Sequence, residues 1–200
     1  MKLNISVKNI KGLGIEEAEK LQELFHVYNA HESKNRLKNR YYEGHVTLGE
    51  VNLGIALPNG MKGLEIGCEW GGKSVDVLAS RSMFDGFVGV DGEEVTEIDR
   101  IVDANDLIAE YMKATRDELK YGCTFATLSG DKNIGCKIRF HSPQTAAAVW
   151  DGEKGRIAYG FAIIDSVPAN DDTYNWNPSL IYYYTDDFVW QLACENSIWK

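Results

Sequence analysis

The hydrophobic period of this chain changes once, at Gly122, and that change most limits what it can fold into. Before Gly122 apolar residues recur every three or four positions, as on one face of a helix; after it they alternate, as on a strand. Ile15, Ala18, Leu21, Leu24, Phe25 and Tyr28 share one helical face, and Glu16, Glu17 and Glu19 suit the start of that helix. A second helical stretch is expected over about 32–42, stopped by Gly44. Ile101, Asn105, Ile108, Met112, Thr115 and Leu119 predict one long helix, capped by Asp99 or Asp103 and ended by Gly122. Strands are expected at 123–128, 136–141, 145–150, 156–165, 180–184 and 188–192, with turns at 130–133, 151–155 and Asp186-Asp187. Helices followed by an antiparallel strand meander define an α+β chain. The βαβ alternation of a nucleotide-binding α/β fold is missing. Residues 1–14 read as a short polar leader, 44–62 as a loop around Pro58-Asn59-Gly60, and Asp91-Gly92-Glu93-Glu94 as a surface turn. The expected division is a helical arm over 1–45 and a body over 46–200.

At 200 residues and 44% hydrophobic, the chain can bury a real core. Its net charge of −9 argues against a general nucleic-acid binder, yet suits a surface that DNA passes without sticking. Cys68, Cys123, Cys136 and Cys194 form no C-x-x-C pair, and His26, His31, His45 and His141 are scattered. Reduced buried thiols are expected, with no metal and no cofactor. The start of the chain is too polar for a signal peptide, and no apolar run reaches membrane-spanning length.

Residues 67–74, GCEWGGKS, match the phosphate-loop pattern G-x-x-x-x-G-K-[ST], with Lys73 placed for phosphates and Ser74 for magnesium. Phe161-Ala162-Ile163-Ile164-Asp165 resembles a magnesium-ligating strand end. Three observations oppose a nucleotide site. The strand before the loop, Gly63-Leu64-Glu65-Ile66, is short and charged. A helical stripe, Leu64, Cys68, Gly71, Val75, Leu78 and Ser82, runs straight through the loop. The later strands read as hairpins. Gly67, Gly71 and Gly72 within a helix cost ~1 kcal/mol each, for which close helix packing on the glycine face is the expected compensation.

The same region carries a longer ordered series. Tyr41-Tyr42-Glu43-Gly44 is followed by Ala56-Leu57-Pro58, then Trp70, Val75-Asp76, Leu78, Arg81 and Asp85-Gly86-Phe87. Ile101, Asn105 and Leu107 lead to Tyr121-Gly122, and Ser142-Pro143 to Val149-Trp150-Asp151. From about Ile15 to Asp165, this order resembles the N-terminal half of portal proteins of tailed phages of the siphophage type. Its signature positions here are Tyr42, Gly44, Pro58, Trp70, Asp76, Arg81, Gly86, Phe87, Asn105, Gly122, Pro143 and Asp151. Read without the resemblance, Trp70, Leu78 and Phe87 are expected in the core. Gly44, Gly86 and Gly122 are expected to stop helices with positive φ. Asp76 and Arg81 lie off one another's helical face, so each is expected to pair elsewhere.

The resemblance implies a non-enzymatic structural subunit of a ring, usually a dodecamer in full-length relatives, at one capsid vertex. DNA enters and leaves the capsid through that ring. Capsid, terminase and head-completion proteins are the implied partners, with no membrane, and assembly is expected in the host cytoplasm. The chain resembles a fragment covering the wing region, without the stem, clip and crown. Two alternatives stand beside it: a phosphate-loop protein using Lys73 and Ser74, and a plain α+β interaction domain. Lys34, Arg36, Lys38 and Arg40 form a basic run that reads as a solvated face or as a contact to DNA or an acidic neighbour.

Overall fold

No glycine or proline interrupts residues 15–43, and these residues form one unbroken helix, α1 (Ile15–Glu43), where the spacing suggested two. Gly44 follows with φ 76°, the left-handed conformation that ends a helix without a Cβ penalty. The computed structural model describes residues 3, 5–7, 10, 12–51, 53–67, 69–89, 96–169, 172–195 and 198–200. The expected turn at 91–94 lies outside the described residues, as does Cys68.

After α1 come β1 (His45–Thr47), two short 3-10 turns, β2 (Glu65–Gly67), α2 (Trp70–Ala79), α3 (Thr96–Ala104) and α4 (Leu107–Tyr121). Then follow β3 (Phe125–Asp131), β4 (Gly135–His141), β5 (Ala146–Asp151), β6 (Arg156–Ala169), β7 (Asp172–Tyr184), β8 (Val189–Glu195) and β9 (Ile198–Trp199). The chain is therefore mixed helix and sheet, a long helix first and antiparallel strands after. Among the described residues the strands form three antiparallel sheets and not one meander: β1-β2, β3-β4, and β5-β6-β7-β8-β9. The chain divides into two units, Met1–Ser33 with Pro143–Lys200, and Lys34–Ser142. The boundaries fall inside α1 and before β5, away from residue 45, because the core of the large sheet closes on the first half of α1.

In the first unit, Leu21, Leu24, Phe25 and Tyr28 of α1 are buried against Phe161, Ile163, Ile181, Tyr183 and Leu192 of the sheet. The Phe25 and Phe161 rings meet edge to face at 5.3 Å. The Tyr28 hydroxyl donates to the Gln144 carbonyl at 2.6 Å. Ile15 leaves the expected apolar face and is exposed, since it sits at the free first turn of the helix. The supposed polar leader is also part of this core. Leu3, Val7 and Ile10 are buried, and Asn29 grips the backbone of Leu3, accepting from its N–H at 2.7 Å and donating to its carbonyl at 2.8 Å. Three apolar side chains at a spacing of four and three suffice for burial even in a segment that is polar on average.

In the second unit the expected single helix over 101–119 is broken. Asp106 takes φ 46° and separates α3 from α4, and neither Asp99 nor Asp103 caps α4. The reason lies in Asn105. Its amide accepts from the Ile138 N–H at 2.9 Å and donates to the Cys136 carbonyl at 2.9 Å, so it closes the outer edge of β4. Gly122 ends α4 as expected, with φ 97° and its N–H on the Glu118 carbonyl at 2.7 Å.

Candidate functional site

The C-terminal turns of α1 form a junction with α2 and α4, all within the second unit. Gly71 and Gly72 make the approach of α2 possible. A Cβ on Gly72 would lie 2.6 Å from the Tyr42 carbonyl oxygen, and one on Gly71 would lie 3.0 Å from that of Tyr41. The expected compensation for glycine in this helix is therefore present at both positions. Gly67 belongs to β2 and meets nothing.

Polar contacts complete the junction. The Tyr42 hydroxyl and the Arg116 Nε both donate to Asp76 Oδ1 at 2.9 Å. Lys120 Nζ donates to Asn39 Oδ1 at 2.9 Å and lies 4.5 Å from the centre of the Tyr42 ring. The Tyr121 hydroxyl donates to the same Asn39 oxygen at 3.0 Å, and Lys38 Nζ donates to the Tyr121 carbonyl at 2.8 Å. Burial, then the Asp76 hydrogen bond, raises the Tyr42 phenol above its usual pKa. Burial likewise raises the Asp117 carboxyl, partly offset by Lys120. Asp76 thus pairs outside its own helix, as expected.

Other signature residues take structural places. Pro58 precedes the 3-10 turn Asn59–Met61. Asp151 Oδ1 accepts from the Glu153 and Lys154 N–H groups at 3.0 Å and so shapes the β5-β6 turn. Pro143 is buried ahead of β5. Gly86 has φ 104° but stops no helix, since α2 ends seven residues earlier. Arg81 is exposed.

The expected core places of Trp70, Leu78 and Phe87 are corrected. They are 80%, 55% and 50% exposed. The buried face of α2 is set by Gly72 and Ala79, which leaves Val77 and Leu78 outside and Trp70 at the helix start. Among the described residues the thiols are not buried either: Cys123 is exposed, while Cys136 and Cys194 are half-buried. The basic run is not simply solvated, because Lys38 holds α4 and Arg40 holds the His45 carbonyl and Glu50.

The helical stripe expected through residues 64–82 is also corrected. A strand, β2, precedes α2, and the helix begins at Trp70. The order strand, loop, helix is that of a phosphate loop, but the Ser74 hydroxyl is turned to its own helix, where its Oγ donates to the Trp70 carbonyl at 2.8 Å, while Lys73 stays exposed. β2 pairs antiparallel with β1. Asp165 is exposed in β6, in the other unit. Among the described residues, no group of three or more His, Cys, Asp or Glu is placed to hold a metal ion.

Arg116, Lys120 and Asn39 escaped the sequence reading. Arg116 and Lys120 lie four apart on a charged helix, a pattern that reads as a solvated face. The one available signal was the pairing need of Asp76. No protein-family model matches the chain, and no curated protein matches it.

Proposed function

We propose that this chain is the wing-like part of a portal-type subunit, a structural protein that assembles with copies of itself. The observation that carries this reading is the role of the ordered signature. Tyr42, Asp76, Asn105 and Gly122 join helices and strands, and none of them lines up a nucleophile with a base. A second observation agrees with it. In the second unit Ile55, Trp70, Val77, Leu78, Met83, Phe87 and Val88 are all at least half exposed. Apolar surface of that kind marks sites of protein association. The net charge of −9 fits a surface past which DNA slides.

Electron microscopy of the purified chain tests the reading. Closed rings with a central channel are the expected particles. Single copies at every concentration, with no ring, overturn it.

A further inference from the structure

A cleft of about 620 Å³ opens where the end of α1, the β1-β2 pair and the start of α2 meet. Glu43, His45, Glu65, Glu69, Trp70 and Lys73 line it. We propose that this cleft binds a guanidinium group, the arginine side chain of a protein partner. The inference goes beyond the portal reading, because it rests on the chemistry of the lining and holds whether or not the chain forms a ring.

Trp70 supplies the first part of the argument. Its indole is 80% exposed at the mouth of a concave site, where a flat π-face is open to a ligand. Such a face attracts cations, and guanidinium most readily, because it stacks as well as attracts. The carboxylates supply the second part. Three glutamates face one ammonium, a balance of 1 − 3 = −2 before His45 is counted. Among the described residues, Glu43, Glu65 and Glu69 take no ion-pair partner, so their charge is available. A planar guanidinium can stack on the indole and donate two parallel hydrogen bonds to a carboxylate. A bare metal ion does not suit the same residues, since among the described residues no three His, Cys, Asp or Glu side chains are placed to hold one. The cleft is larger than one guanidinium and has room for the peptide that carries it.

Lys73 and the first N–H groups of α2 would favour an anion in the same cleft. The two occupants therefore predict opposite effects of one substitution. For guanidinium, Lys73 is a competitor for the glutamates, and Lys73→Ala tightens binding. For phosphate, Lys73→Ala abolishes it.

The test is a calorimetric titration of the whole chain with a triarginine peptide at low salt, with trilysine and ATP as comparisons. Saturable binding of triarginine is expected, weakened roughly tenfold by Trp70→Ala and by Glu65→Gln/Glu69→Gln, and strengthened by Lys73→Ala. All four residues are exposed, and circular dichroism checks that the variants keep the fold. The proposal is overturned by an absence of saturable binding. It is overturned equally by trilysine binding as tightly with Trp70→Ala unchanged, which is diffuse charge attraction. ATP binding that Lys73→Ala removes also overturns it.

Discussion

Replacing Gly72 with alanine inverts the usual effect of that substitution in a helix. In an open helix the change stabilises by ~1 kcal/mol through backbone entropy. Here the new Cβ would stand 2.6 Å from the Tyr42 carbonyl oxygen, against 3.4 Å for ordinary contact, so α2 must withdraw by 3.4 − 2.6 = 0.8 Å. The obstructing atom is backbone and has no rotamer to change. Overpacking of this kind costs about 2 kcal/mol. Withdrawal also stretches the 2.9 Å bond from Tyr42 to Asp76, a further ~1 kcal/mol. Against the ~1 kcal/mol gained in propensity, the net loss is about 2 kcal/mol, or roughly 10 °C in melting temperature for a unit of this size. Urea unfolding followed by circular dichroism reads the change. Gly71→Ala, with its Cβ at 3.0 Å from Tyr41, is expected to lose much less. A Gly72→Ala protein as stable as the parent, or more stable, would refute the close approach of α2 to α1.

Three further outcomes follow from the same geometry. Asn105→Ala leaves the Ile138 N–H and the Cys136 carbonyl without their partner at the edge of β4, and is expected to cost ~2 kcal/mol in urea unfolding; a neutral result contradicts the clamp. Tyr28→Phe removes the bond to the Gln144 carbonyl and is expected to cost ~1 kcal/mol, with the aromatic contacts to Phe161 kept; an unchanged urea midpoint contradicts that bond. Burial, then the nearby Arg139, lowers the His141 pKa from its usual 6.5. Because the unfolded state then binds the proton first, this contribution is complete above pH 6.5 and is lost as pH falls through the folded value. Stability measured from pH 7.5 downward should show that loss, and His141→Gln should flatten it; an identical slope in the variant counts against it.

The parts of the fold that sequence revealed are those where a single period governs. The apolar and β-branched runs in Cys136–His141 and in 156–165, set between turn signals, marked β4 and β6. Gly44 and Gly122 announced helix ends through a conformation that other residues adopt at a cost. The period failed where a partner decides the outcome. The spacing through 101–119 is helical on both sides of Asp106, and only the bond between Asn105 and β4 explains the break. The stripe across 64–82 was regular enough to hide β2, whose existence depends on pairing with β1. Leu3, Val7 and Ile10 are buried in a core shared with α1 and the large sheet, and Asn29, twenty-six residues from Leu3, holds the Leu3 backbone there.

The junction was half legible. Tyr42, Asp76 and the two glycines stood out by type and order. Arg116 and Lys120 carry no local mark that separates them from solvated charges. The exposure of Trp70 and Phe87 was invisible for the reason that burial is a property of the whole surface, not of hydrophobicity alone.

The central claim is assembly without nucleotide chemistry, and the mass of the chain in solution tests it most directly. Light scattering across a range of concentrations, with and without ATP and magnesium, should give a ring-sized particle whose mass ignores nucleotide. A single copy at all concentrations, or a mass that changes when ATP and magnesium are added, would contradict it.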